Sequence, residues 1–147
     1  MARPEIPDTS VLIGLAHANG NLDRLYHRLT EDRLWMSSVV LSEFLAGTRS
    51  PEEAHLVERL VAIFSRTGRL LTPAAAEWTL AGRLIARRIR LTGSERPRDH
   101  FNDLLIILSA ARASGTVITA NVRHFNAWAT HTRRAGLDVQ VLPDSAL

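Results

Sequence analysis

The chain has 147 residues, 46% of them hydrophobic, which suits a single folded domain over residues 1–147 and excludes a disordered chain. It has no cysteine, which removes disulfides, thiolate metal sites and a thiol nucleophile. Its 18 basic residues are all arginine and face 15 acids, for a net charge of +3; without lysine there is no Schiff base, no Walker-type phosphate loop and no lysine general base.

No apolar run follows the first residues, so no signal peptide is expected. The most apolar stretch, 104–111, is too short to span a bilayer, and a soluble, cytoplasmic protein without membrane contact is expected. From Ile6 a short strand leads through Asp8 into a helix over 11–18, stopped by Asn19-Gly20-Asn21. Leu22, Leu25, Tyr26 and Leu29 then recur at helical spacing. Residues 34–37 read as a buried strand, and Ser37 or Ser38 can cap the helix carrying Val39, Val40, Glu43 and Phe44, which Gly47 ends. Ser50-Pro51 opens a helix reaching about Phe64, with Leu56, Leu60 and Ile63 on one face.

Gly68 breaks that helix and 69–71 form a third strand; Thr72-Pro73 opens a long helix to about Leu91. A polar loop over 92–98 precedes a helix over 102–114, closed by Gly115. Then come a β-branched strand over 116–119, a short helix over 124–131 and a last strand over 139–142. Strands alternating with helices imply an α/β fold with a mostly parallel sheet, helices on both faces and right-handed crossovers. In such sheets, polar groups at the carboxyl ends of the strands meet on one rim.

Asp8 ends the first strand, Glu43 sits a turn into the helix after the second, and Asp103 starts the helix before the fourth, which ends at Thr119 and Asn121. These positions can converge. Close carboxylate pairs repel by roughly 4 kcal/mol at intermediate dielectric, so three stay ionised together only around a cation. A ligand set of oxygens suits Mg²⁺, with Mn²⁺ as a substitute, and such a site suits phosphate chemistry. Taken singly, each acid is equally an ordinary cap or surface residue.

Four ordered segments resemble the motifs of PIN domains: Asp8-Thr9-Ser10-Val11-Leu12-Ile13; 37–47 around Glu43; Asn102-Asp103-Leu104-Leu105-Ile106; and Thr119-Ala120-Asn121-Val122-Arg123-His124-Phe125. Together they cover nearly the whole chain and are most similar to VapC-type toxins of bacterial toxin–antitoxin pairs. The resemblance implies a single PIN-like domain with about five parallel strands in order 3-2-1-4-5 between helices. It implies Asp8 and Asp103 as principal metal ligands, Glu43 binding or orienting the metal, and Thr119 holding the Asp8 carboxylate. It further implies hydrolysis of RNA phosphodiesters, a cognate antitoxin that blocks the site, and a homodimer. Many fourth motifs carry another acid where this chain has Asn121 or His124. Asn121 brings a carbonyl but no charge, so one well-occupied metal is expected.

Arg83, Arg87, Arg88 and Arg90, continued by Arg96 and Arg98, form the best stripe for RNA phosphates, the alternative being a solvated helix face. Arginine pairs well with phosphate, although a GC-rich genome would yield the same bias. His124 is placed either against the scissile phosphate or simply in solvent, and the other histidines show no ligand spacing. Trp35, Trp78 and Trp128 read as core or interface residues, and surplus apolar positions in the first two helices suit a dimer interface. Two other readings stand beside the nuclease: a phospho-receiver module, disfavoured by the missing lysine, and a catalytically weak or inactive PIN-like fold that binds RNA or a partner.

Overall fold

The structure, a computed structural model, describes residues 3–19, 29, 34–93 and 96–146. In chain order the elements are β1 (Glu5–Pro7), α1 (Thr9–Asn19), β2 (Met36–Ser37), α2 (Ser38–Ala46), α3 (Pro51–Arg66), β3 (Leu70–Leu71), α4 (Ala75–Thr92), α5 (Phe101–Arg112), β4 (Thr116–Thr119), α6 (Val122–Arg134) and β5 (Gln140–Pro143). Single 3₁₀ turns lie at Pro97–Asp99 and Asp144–Ala146. The expected helical segment around Leu22, Leu25 and Tyr26 lies outside the described residues; Leu29 alone is described there, helical and fully buried.

All strand pairs are parallel. β4 lies between β1 and β5, with Ile6 opposite Val117 and Ile118 opposite Leu142, while β2 and β3 form a separate pair with Met36 opposite Leu70. Instead of one continuous five-stranded sheet, the described residues form a three-strand and a two-strand ladder. They meet only through a parallel bridge between Glu5 and Leu34, with the Trp35 amide donating to the Glu5 carbonyl at 2.9 Å. Two-residue strands are too short to carry more of the ladder.

Local signals explain most element starts. The Ser37 hydroxyl accepts the Val39 amide at 3.2 Å and opens α2, and Ser50 accepts the Glu53 amide at 3.2 Å and opens α3, with Pro51 in its first turn. Thr72 does not cap α4; that helix starts at Ala75, and the Thr72 carbonyl instead accepts from Arg112 at 2.8 Å. Arg112 also pairs with Glu77 at 3.0 Å, pinning α4 to α5.

Gly93 ends α4 in the left-handed conformation, at φ 81°. After α5 that conformation falls on Ser114, at φ 50°, and not on Gly115. Gly115 is required for another reason: a Cβ there would stand 2.6 Å from Ile6 Cδ1 and 3.0 Å from the Pro4 carbonyl oxygen.

Every residue from Leu104 to Ala111 is buried, the mark of a helix covered on all sides. α5 packs on α4, α6, α2 and β4, and the core continues through Ile6, Leu12, Leu34, Leu60, Phe64, Val117 and Trp128. Among the described residues no helix is long and apolar enough to cross a membrane.

Candidate active site

The carboxyl ends of β1 and β4 carry the most tightly held acid. The Asp8 amide extends the β1–β4 pairing by donating to the Ile118 carbonyl at 2.9 Å, which fixes where its side chain leaves the strand. That side chain then caps α1: Oδ1 accepts the Val11 amide at 3.1 Å and the Ser10 hydroxyl at 2.7 Å. Oδ2 accepts the Thr119 hydroxyl at 2.7 Å. Both hydroxyls are themselves steered from the turn after β4, since the Asn121 amide donates to Thr119 Oγ1 at 2.9 Å and the Ala120 amide to Ser10 Oγ at 3.4 Å. Asp8 is only 5% exposed, and three donors offset the cost of burying its charge.

The other two acids are held more loosely. Glu43, half-buried on α2, accepts the Thr9 hydroxyl on Oε1 at 3.0 Å. Asp103, in the first turn of α5, meets His124 Nε2 at 2.7 Å through Oδ2. His124 is therefore not simply in open solvent: α6 turns it inward, about one-third exposed, onto the α5 carboxylate. Nothing in the spacing of the two residues announces this contact, because it is made by the crossing of two helices.

Asp8, Glu43 and Asp103 line one cavity of about 190 Å³, together with Thr9, Ser10, Asn121 and His124, over Ile106 and Phe125. Thr119 stands behind Asp8 rather than in the wall. A larger cavity of about 340 Å³ lies between α1, α2 and α3, lined by Ile13, Phe44, Leu56 and Val57 together with Glu43, Thr48, Arg49 and Glu53. Only the smaller cavity brings Asp8 and Asp103 together with Glu43, so it is the better site for chemistry.

The donor set of the smaller cavity is hard oxygen. Oε2 of Glu43 and Oδ1 of Asp103 accept no hydrogen bond among the described residues, so each has an oxygen to offer. Among the described residues, however, no three His, Asp or Glu side chains stand close enough to hold a metal ion unaided. That arrangement fits an ion that keeps several of its waters and takes one or two carboxylates directly, as Mg²⁺ does.

The arginine stripe separates in the structure. Arg83 and Arg87 are exposed on α4, and Arg96 and Arg98 are exposed at the 3₁₀ turn before α5; none of the four lines the acidic cavity. Arg88 points elsewhere, with its guanidinium carbon 4.5 Å from the centre of the fully buried Trp128 ring. Trp128 also stacks near His100 and His131, at 5.2 and 5.7 Å between ring centres. Burial, with Arg88, Arg134 and Arg87 nearby, lowers the His131 pKa below the ordinary histidine value. Of the other tryptophans, Trp35 is half-buried and Trp78 is 51% exposed.

The PIN domain family model matches residues 6–129, which contain Asp8, Glu43, Asp103 and Thr119. No curated protein matches the chain in sequence. Solved structures similar to it include DNA-bound VapBC from Salmonella typhimurium, at 19% identity and TM-score 0.54, covering 98% of this chain and 99% of that one. VapBC-1 from nontypeable Haemophilus influenzae aligns at 21% identity and TM-score 0.55, with coverage of 96% and 98%. FitAcB from Neisseria gonorrhoeae aligns at 21% identity and TM-score 0.58, with coverage of 97% and 99%. At these identities the likeness is one of fold. With the family model spanning most of its length, the chain belongs to the PIN domain family.

Proposed function

We propose that this chain is a magnesium-dependent endoribonuclease, the toxin of a type II toxin–antitoxin pair, acting in the cytoplasm as a homodimer and silenced by a cognate antitoxin. The observation that carries the nuclease reading is the convergence of Asp8, Glu43 and Asp103, 95 positions apart at their extremes, on one small cavity of a PIN fold. The toxin, dimer and antitoxin parts draw on the motif resemblance and on likeness in fold to VapBC and FitAcB.

Asp8 and Asp103 would hold the cation, with Glu43 binding it or one of its waters. A bound Mg²⁺ would polarise a phosphoryl oxygen and acidify a water. Thr119 keeps the Asp8 carboxylate aimed at the cavity, and Thr9 does the same for Glu43. Asn121 offers a neutral amide at the rim, so a second cation would be held weakly. Arg83, Arg87, Arg88, Arg96 and Arg98 would supply positive charge for the RNA backbone outside the acidic cavity.

The test is cleavage of cellular RNA by purified protein with Mg²⁺ or Mn²⁺. Cleavage that EDTA and Asp8→Asn both abolish supports the proposal, whereas EDTA-resistant cleavage contradicts it. One alternative has an observation of its own. The lack of a ready-made three-ligand group among the described residues, with Asn121 and His124 where a fourth acid would stand, suits a catalytically weak PIN fold that binds RNA or a partner. RNA binding without cleavage under either metal would favour it.

A further inference from the structure

Beside the acidic cavity lies a second one, of about 280 Å³, with the opposite character. Its lining is Arg88, Asn121, Arg123, His124 and Ala127, with no acid among them. Asn121 and His124 belong to both cavities, so the two are neighbours across a shared wall. We infer that Arg88, Asn121, Arg123 and His124 form a subsite for one phosphate group of the substrate backbone, next along the strand from the phosphate held over the acidic cavity. The RNA identity of that strand rests on the ribonuclease reading above; the anion subsite itself does not.

Three features favour an anion here. Arg88 is on the inner side of α4 and lies against the buried Trp128 ring, so its guanidinium is held in place rather than swinging in solvent. A pre-positioned guanidinium loses less freedom on binding than a surface arginine and presents a planar pair of donors to phosphate oxygens. Arg123 belongs to α6, so two arginines from different helices line the cavity. The acid on the other side of the shared wall is already engaged, because Asp103 Oδ2 is bonded to His124.

The contiguity of the two cavities favours a phosphodiester chain over an acidic peptide. A chain with regularly spaced phosphates places one group over a cation-binding pocket and the next over a cationic one. The arginines of the stripe that are exposed on α4 or at the 3₁₀ turn line none of the three cavities described.

The subsite can be read without catalysis. Titrating inorganic phosphate into ¹⁵N-labelled protein should shift the amides of Asn121, Arg123 and Ala127, and Arg123→Ala should abolish those shifts while Arg66→Ala, a change of an exposed residue at the end of α3, leaves them. Shifts that survive Arg123→Ala, or no shifts in this segment, would overturn the inference. So would an acidic peptide that moves these amides where phosphate does not.

The substrate arm uses a dinucleotide with and without one terminal phosphate. The extra phosphate, on one of the two ends, should raise kcat/KM about tenfold in wild type, the scale of one charge-assisted contact. The gain should vanish in Arg123→Ala and in Arg88→Met, the latter checked for an unchanged melting temperature. An equal gain in wild type and Arg123→Ala would overturn the assignment to a backbone phosphate. If no RNA is cut under either metal, the ribonuclease reading falls, and the phosphate titration still decides the subsite alone.

Discussion

Asp8 and Asp103 face the same cavity but are held by opposite means. Asp8 sits at a strand end, nearly buried, and takes hydrogen bonds from its own helix start and from the end of β4. Asp103 sits on a helix, about one-third exposed, and has one partner among the described residues, supplied by the neighbouring helix. The first is therefore fixed by backbone pairing and local capping, and its geometry is determined as soon as β1 and β4 align. The second depends on how α5 and α6 cross, so it has more freedom to adjust when a ligand enters.

The largest effect expected from this contrast is at Asp8. Asn is as good a helix cap as Asp, so Asp8→Asn should leave the melting temperature almost unchanged while cutting RNA cleavage by more than about 100-fold, beyond the 10–100-fold typical of supporting residues. A parallel loss of stability and activity would mean that Asp8 is chiefly a cap. Next is Thr119→Val, which removes the donor to a buried carboxylate. It should cost about 10–100-fold in activity and about 1 kcal/mol in stability, with Thr119→Ser restoring most of both.

On the freer side, His124→Ala should lower activity by about tenfold, at the low end for a supporting residue, and cost little stability because the site is partly solvated. A loss as large as that of Asp8→Asn would erase the contrast between the two acids. Smaller again is Ser50→Ala, far from the cavity. It should cost about 1 kcal/mol through the lost α3 cap and leave cleavage unchanged.

The smallest effect concerns His131, whose folded-state pKa is lowered by burial and by Arg88, Arg134 and Arg87. The unfolded chain then takes up its proton first as pH falls. The contribution of this neutral histidine is fully present above the ordinary histidine pKa of about 6.5 and is lost as pH falls through the lower folded value. Denaturant midpoints measured between about pH 7.5 and 5 should therefore fall less steeply in His131→Gln than in wild type.

Much of the architecture was legible along the chain because its signals are local. Apolar periodicity, Ser50-Pro51 and the β-branched run before Thr119 each act within a few residues. Signals failed where a local cue had two uses. Thr72-Pro73 resembles a cap, yet the helix begins later because the Thr72 carbonyl is engaged by Arg112 from α5. Gly115 looks like a helix terminator, yet its small size serves the approach of Ile6 while Ser114 takes the left-handed turn.

The site divides along the same line. Asp8, Glu43, Asp103, Thr119 and Asn121 lie at strand ends and helix starts that a parallel sheet can gather on one rim, but it was the resemblance to PIN-domain motifs that singled them out. The supporting hydroxyls of Thr9 and Ser10 were adjacent to a chosen acid and so within reach of the same logic. His124 was placed against the scissile phosphate or in solvent, and its contact with Asp103 was not foreseen, because that partner is 21 residues away on another helix. The arginine stripe likewise reads as one surface along α4, yet only Arg88 turns toward Trp128 and the shared wall.

The sequence alone determined the alternation of strands and helices, the absence of sulfur and lysine chemistry, and the set of acids available to a hard cation. These follow from residue type and short-range spacing. Only the tertiary structure decided that the sheet parts into two ladders, that His124 closes on Asp103, and that a basic cavity abuts the acidic one. Each of these depends on the packing of elements distant in the chain, where turning one helix by a single residue would swing every side chain on it by about 100°.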